Sequence, residues 1–297
     1  MPATYAHYRF GQRCIDVLPD SIKELVEANR QLFDIGVHGP DILFYYEAYH
    51  SNRVNRIGFG MHEKLASDFF KKARLAYASS SYDKKRMMAY LLGFVSHFTL
   101  DYMSHSYVEA KEYYSHVSHT EIETQNDRHL MIIDGHDPLS YDTVQHIIPS
   151  KDNAEVIHEF FKELSVNDIH TSLKSMVFFI HLLTCPNRFK RGFVFSGMKL
   201  IGVYDKLHEQ VVSVEADPNC EDSNLRLDKL ADKALPLFAR LANNLFAFLN
   251  GQSDLDDIFN HTFGAQDNWK NIPVLTVERE KEYEIQDDFT RKEVGSV

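Results

Sequence analysis

Five side chains able to hold a metal ion, His97, Asp101, His105, His119 and Glu123, fall within 27 residues, and every consecutive pair but one is four residues apart. The stretch carrying the first three, from about Lys84 to Lys111, has no proline and a single glycine, Gly93, and its apolar residues recur at intervals of three and four. That periodicity predicts one long helix. Residues four apart share a helix face, so His97, Asp101 and His105 step along one stripe at intervals of about 6 Å. A carboxylate in the middle of such a stripe can bridge two metals. A second helix after a tight reverse connection would set His119 and Glu123 one turn apart, facing the first stripe.

Imidazole and carboxylate ligands with no cysteine nearby suit zinc in a hydrolytic site. With 16 histidines and 43 acidic residues among 297, a His-x3-acid-x3-His run is expected about 0.12 times by chance. A lone His-x3-acid pair is expected roughly twice, so His119 and Glu123 draw their weight from their closeness to the first run. The competing reading is a buried helix whose histidines only satisfy their neighbours.

Composition narrows the class. With 44% apolar and 25% charged residues the chain reads as an ordinary globular protein of one large domain. A formal charge of −11 argues against a general nucleic-acid footprint and against a polybasic patch for an anionic membrane, so no stable nucleic-acid partner is expected. Three widely spaced cysteines, Cys14, Cys185 and Cys220, fit a reducing compartment better than a disulfide framework. Residues Met1 to Gly11 lack a secretory pattern, and the longest apolar run, Met176 to Leu183, is too short to span a bilayer. The expectation is a cytoplasmic protein without a transmembrane segment. Oligomeric state is open.

Helical patterns continue along the chain. Pro19, Asp20 and Ser21 with Glu24 form a start signature for a helix running to the Asp34 to Gly39 region, where Pro40 stops it. Gly39 to Gly60 is aromatic and irregular. Met61 to Ala78 reads as an amphipathic helix with His62 at its mouth. Asn153 to Leu164, Asp168 to Leu183, Phe195 to Val212 and Ser223 to Asn250 follow, with Pro236 set to turn or kink the last. No alternating strand pattern stands out. The predicted architecture is all-α, a multi-helix bundle around a di- or trinuclear metal site, with residues 1–275 as a single domain and 276–297 as a charged tail, loosely ordered or extended over a partner.

Several metals need further ligands, and the upstream candidates are His7, His38, Asp41, His50 and His62. Asp41 follows the Gly39-Pro40 turn, and His62 follows Gly58 and Gly60. Both also have bland readings, a helix cap for Asp41 and a surface histidine for His62.

The segments Tyr5-Ala6-His7, His38-Gly39-Pro40-Asp41, Gly60-Met61-His62-Glu63, His97 to Asp101 and His119 to Glu123 together resemble the zinc-dependent phospholipase C family. That family is similar in fold to the secreted single-strand nucleases, a helical bundle around a three-metal phosphoesterase site. The resemblance covers roughly the first 130 residues and rests on the order and type of ligands. It implies that Asp41, His62 and His97 hold one zinc and that Asp101 bridges it to another. His105, His119 and Glu123 would hold the second. A third ion would use His7, Asp101 and the free amino terminus, although this chain begins Met1-Pro2 where the secreted phospholipases present a processed Trp. Glutamate at position 123 leans toward the phospholipase branch.

On that reading two or three zinc ions outweigh the charges of Asp41, Asp101 and Glu123, leaving a net charge of roughly +1 to +3 that draws in a phosphate. The expected reaction is hydrolysis of a phosphodiester or phosphomonoester by metal-bound hydroxide, with Asp101 as bridging ligand and Asp41 as ligand and proton acceptor. The expected substrate is a small phosphoester or a phospholipid head group. The aromatic residues Phe44 to Tyr49 and Phe94, Phe98 and Tyr102 read first as core and second as pocket lining. The basic group Arg188, Lys190 and Arg191 reads as a solvated loop. Alternatives are a single-strand nuclease or nucleotidase-like hydrolase, an HD-type phosphohydrolase centred on His136-Asp137, and a non-catalytic metal-binding scaffold. The second half carries no β-sandwich-like pattern of the kind secreted relatives use to engage lipid.

Overall fold

The computed structural model describes residues 4–285. The helices are α1 (Thr4–Asp16), α2 (Asp20–Ala28), α3 (Arg30–Gly36), α4 (Arg53–His62), α5 (Ala66–Ser79), α6 (Lys84–Ser115), α7 (His119–Ile133), α8 (Lys151–His158), α9 (Val166–Leu183), α10 (Arg188–Leu200), α11 (Tyr204–Leu207), α12 (Glu221–Leu249) and α13 (Val277–Glu282). A 3-10 segment covers Gly39–Tyr45. Among the described residues there is no sheet, only an isolated bridge between Leu65 and Thr262. The fold is all-α.

Helix α6 is the axis of the bundle. Every residue from Met87 to Asp101 is buried, so this helix is enclosed on all sides. On one side α3 lies against it backbone to backbone, because Gly36 faces Gly93 and a Cβ on either would collide with main-chain atoms of the other helix. On another side α12 packs through Leu237, Phe238, Leu241 and Leu245. Asp83 caps the start of α6 by accepting from the Lys85 N–H at 2.8 Å. His116, in the left-handed conformation at φ 60°, ends it and turns the chain into α7, whose own cap is Ser118. The tight reverse connection expected between the two ligand-bearing segments is therefore the three residues 116–118.

Several boundaries differ from the sequence expectation, each for a local reason. The helix begun at Asp20 breaks at Asn29, where the side-chain amide donates to the Leu25 carbonyl at 2.8 Å and competes with the helix ladder. Neither half of the start signature makes a side-chain cap. Met61 to Ala78 is not one helix. Asn52 and Asn55 form a capping box that starts α4 early, so His62 is the last residue of α4 and not the mouth of α5. Arg188, Lys190 and Arg191 lie in α10, started by Asn187 accepting from the Phe189 and Lys190 N–H groups, and not in a loop. Helix α12 runs through Pro236 without ending, held by its buried face against α6. The charged segment after Thr276 begins with α13, which packs on α12, and residues 286–297 lie outside the described region.

Candidate metal centre

The stripe on α6 points into the middle of the bundle, and other elements meet it there. Asp101 is the hub. Its Oδ1 lies 3.2 Å from His7 Nε2 on α1, and its Oδ2 lies 3.1 Å from His97 Nε2, 3.7 Å from His62 Nε2 and 3.9 Å from His105 Nδ1. Asp41, in the 3-10 segment, brings Oδ1 to 3.1 Å from His62 Nε2 and 3.9 Å from His97 Nε2. On α7, Glu123 Oε1 lies 3.0 Å from His119 Nε2 and 3.6 Å from His105 Nε2. These residues form three candidate ligand groups, each with its donor atoms within 4.8 Å of one another: His7, His97 and Asp101; Asp41, His62 and His97; His105, His119 and Glu123; a fourth group, Glu109, Glu112 and His119, shares only His119 with them. All eight residues singled out in the sequence fall in these groups. His97 is shared between two of them. The amino terminus lies outside the described residues.

Gly39 makes the close approach possible. It sits at φ +49°, and a Cβ there would run into the His97 ring. His38, next to it, is turned away from the centre and bonds His146, Nε2 to Nε2 at 2.7 Å, while His50 faces Glu47 and packs on Tyr49 near the surface. His136 and Asp137 lie in the turn after α7, with the His136 ring stacked on Tyr141, and neither belongs to a ligand group.

Supporting contacts that the sequence reading missed hold the ligands in place. His105 Nδ1 donates to the Phe263 carbonyl at 2.6 Å, and His62 Nδ1 donates to the Gly58 carbonyl at 3.1 Å. In both rings Nε2 is then turned toward the acids, carrying a proton while the ring is charged and offering its lone pair if a metal takes the proton's place. The Phe263 ring packs over His62 and His97 from the C-terminal half of the chain. Asp127 accepts the Tyr5 and Ala6 N–H groups at 3.0 and 2.8 Å, which caps the start of α1 and fixes His7 one residue further on. A signal for Asp127 was present, since it continues the spacing of four from His119 and Glu123.

The candidate centre gathers opposed charges. Burial would raise Asp101, yet the His97, His105 and His7 rings hold it well below the usual carboxylate range. Burial likewise opposes Glu123, and His119 holds it low. In return His105, desolvated but facing Asp101 and Glu123, is pushed up to about 9, and His119 is pushed up by Glu123 to about 10. Asp127, with burial dominant over its two backbone donors, rises to about 7. Three acids gathered in a buried place demand positive charge, and without a metal the protonated imidazoles around them supply it. Among the described residues Asp41 Oδ1, Asp101 Oδ2, His7 Nδ1 and both nitrogens of His97 have no hydrogen-bond partner. Convergent, unsatisfied nitrogen and oxygen donors of this kind fit zinc.

A pH dependence follows. His105 and His119 have folded pKa values above the ordinary 6.5, so their contribution to stability is complete below about 6.5 and is lost as pH rises through about 9 to 10. Melting of the chelated protein should therefore fall between pH 6.5 and 10. Zinc, which binds neutral imidazole, should abolish that fall. A flat melting profile for the chelated chain over this range would contradict the charge balance described here.

A family model for zinc dependent phospholipase C matches residues 6–173, more than half of the chain and every residue of the three ligand groups. Comparison with curated proteins and with solved structures gave no match. The family match, the all-α bundle and the convergence of nitrogen and oxygen donors on Asp101 agree: the chain belongs to the zinc-dependent phospholipase C family.

Proposed function

We propose that this protein is a zinc-dependent phosphoester hydrolase acting on a phosphodiester or phosphomonoester, with a phospholipid head group as the favoured substrate class. The observation that carries the reading is the hub at Asp101, a buried carboxylate facing four histidines from α1, α4 and α6. Asp41, His62 and His97 would hold one ion, His105, His119 and Glu123 a second, and Asp101 would bridge them, with His7 available to a third. Zinc held by these residues would supply Lewis acidity, making hydroxide available near neutral pH and offsetting negative charge on the phosphate.

The chain's own residues supply the rest. Asp41 is the most open of the three carboxylates, with a side chain 22% exposed against 6% for Asp101 and 12% for Glu123. That exposure supports Asp41 as the group that would accept a proton. Gly58 and Phe263 carbonyls fix the His62 and His105 rings, and the Phe263 ring with Phe94 closes the centre on its apolar side. A small cavity of about 50 Å³ between α1, α6, α7 and α12 borders His7, Asp101, His105 and Glu123, which supports entry of the phosphate from that side. The three cysteines are free and buried, in keeping with a reducing, cytoplasmic setting. No helix among the described residues is long and apolar enough to cross a membrane.

The test is elemental analysis of chelator-free protein together with turnover of a soluble chromogenic phosphodiester and of a short-chain phospholipid. Stoichiometric zinc with turnover that chelation removes and zinc restores is the expected result. Stoichiometric zinc with no turnover on any phosphoester would instead make the site a metal-bound scaffold.

A further inference from the structure

Residues 169–204 contain no aspartate or glutamate, yet they contain Lys174, Arg188, Lys190, Arg191 and Lys199, in a chain whose net charge is −11. The whole-chain charge, which argued against a polybasic patch, conceals this local excess. The same segment exposes large apolar side chains. Phe178 on α9 is 62% exposed, and on and just after α10 Phe189, Phe193, Leu200 and Ile201 are 76%, 77%, 88% and 69% exposed.

Helix α10 has two distinct faces. Its inner face buries Val194 and Met198 against Cys185 and Val211. Phe189, Phe193 and Leu200 are separated by four and seven residues and so share the outer face, where Gly192 and Gly197 leave open space. Arg188 and Lys199 are exposed at the two ends of the helix. Lys190 and Arg191 are half-buried and tie α10 to its neighbours by donating to the His181 and Val212 carbonyls. His181 in turn faces Asp142 at 3.0 Å. A helix facing water would turn polar residues outward. This one presents aromatic and aliphatic side chains rimmed by cations, the arrangement of a helix lying in a lipid interface.

We propose that the outer face of α10, with the end of α9 that precedes it in the chain, is a docking surface for an anionic phospholipid bilayer. Charge complementarity selects this occupant. The apolar outer face would enter the acyl boundary while Arg188 and Lys199, with Lys190 and Arg191 behind them, meet anionic head groups. A two-fold pairing of two copies through the same face would set like charges against each other. Helix α10 lies wholly beyond the family match at residues 6–173, so this chain carries the surface in its own C-terminal half. The proposal extends the phosphoesterase reading to the physical state of its substrate and rests on that reading for this step alone, because docking itself needs no turnover.

The experiment is flotation of the full chain with vesicles of phosphatidylcholine alone and with about 30% phosphatidylserine, at low and high salt. Wild type should float with the anionic vesicles and be released by salt. Phe189→Ser/Phe193→Ser should weaken partition at least about tenfold, and Arg188→Ser/Lys199→Ser about twentyfold. Both pairs should leave folding by circular dichroism and turnover of a soluble phosphodiester unchanged, since neither touches the ligand groups. Equal flotation with neutral and anionic vesicles, no flotation, or variants that float like wild type would overturn the proposal. So would light scattering that shows a wild-type dimer dissolved by the Phe189→Ser/Phe193→Ser pair, which would make the face a contact between copies. Vesicle binding without any hydrolysis would leave the docking surface standing and remove the phosphoesterase reading.

Discussion

Asp101→Ala is expected to remove zinc from more than one position at once and to lower phosphoester turnover by about a thousandfold or more. Asp101 is approached by four imidazoles, at 3.1 to 3.9 Å, and its oxygens point to different groups, Oδ1 toward His7 and Oδ2 toward His97, His62 and His105. Loss of a single electrostatic stabiliser of a transition state costs on the order of 10²–10³ in rate, and loss of a bridging ligand removes the support of two ions. The informative comparison is with Glu123→Ala, which should release the ion on the α7 side while sparing the group formed by Asp41, His62 and His97. Metal per chain, read by elemental analysis, should fall further in Asp101→Ala than in Glu123→Ala. Melting of the chelated proteins separates loss of metal from loss of fold. Full metal content and activity in Asp101→Ala would sink the assignment of the hub.

The second large effect lies far from the ligands. Arg226 on α12 and Glu280 on α13 are 2% and 0% exposed, and Glu280 accepts from Arg226 Nε and Nη2, both at 2.7 Å. The guanidinium lies between the rings of Tyr107 and Tyr283, with centroids at 4.8 and 4.2 Å, and Lys229 also reaches Glu280 Oε1 at 3.4 Å. Glu280→Ala would leave Arg226 buried without its counter-charge. Breaking such a pair from one side costs roughly 3–5 kcal/mol, a fall in Tm of roughly 6–20 °C for a chain of this size. The double variant Arg226→Leu/Glu280→Leu should recover most of the loss, because an apolar pair removes the desolvation penalty together with the attraction. Denaturant melts of the single and double variants decide it. A single variant within about 1 kcal/mol of wild type would show that α13 is not a fixed part of the fold.

How much of this was legible in the residues depends on the range of the interaction. Spacing of four on a proline-free segment is a local property of helix geometry, and it placed His97, Asp101 and His105 on one stripe and His119 with Glu123 on another before any fold was known. The all-α class followed from the same periodicity. Boundaries were harder where a side chain competes with the ladder, as Asn29 does by bonding the Leu25 carbonyl, or where a capping box starts a helix early, as Asn52 and Asn55 do for α4.

Convergence was a different matter. Nothing local brings His7 to Asp101. That contact exists because Asp127 on α7 caps the first turn of α1, just as Asp41 approaches His97 only because Gly39 lacks a Cβ. The Phe263 carbonyl that fixes His105, and the Glu280 carboxylate that neutralises Arg226, come from residues whose type and spacing carry no sign of these partners. Net charge is additive along the chain and hides where charge gathers, so the cationic, apolar face of α10 became visible only once its buried side was known. The sequence by itself determined which residues share a helix face, since helical periodicity repeats every few residues. The tertiary structure alone decided which faces meet and which stay open, since that depends on contacts between residues tens to hundreds of positions apart.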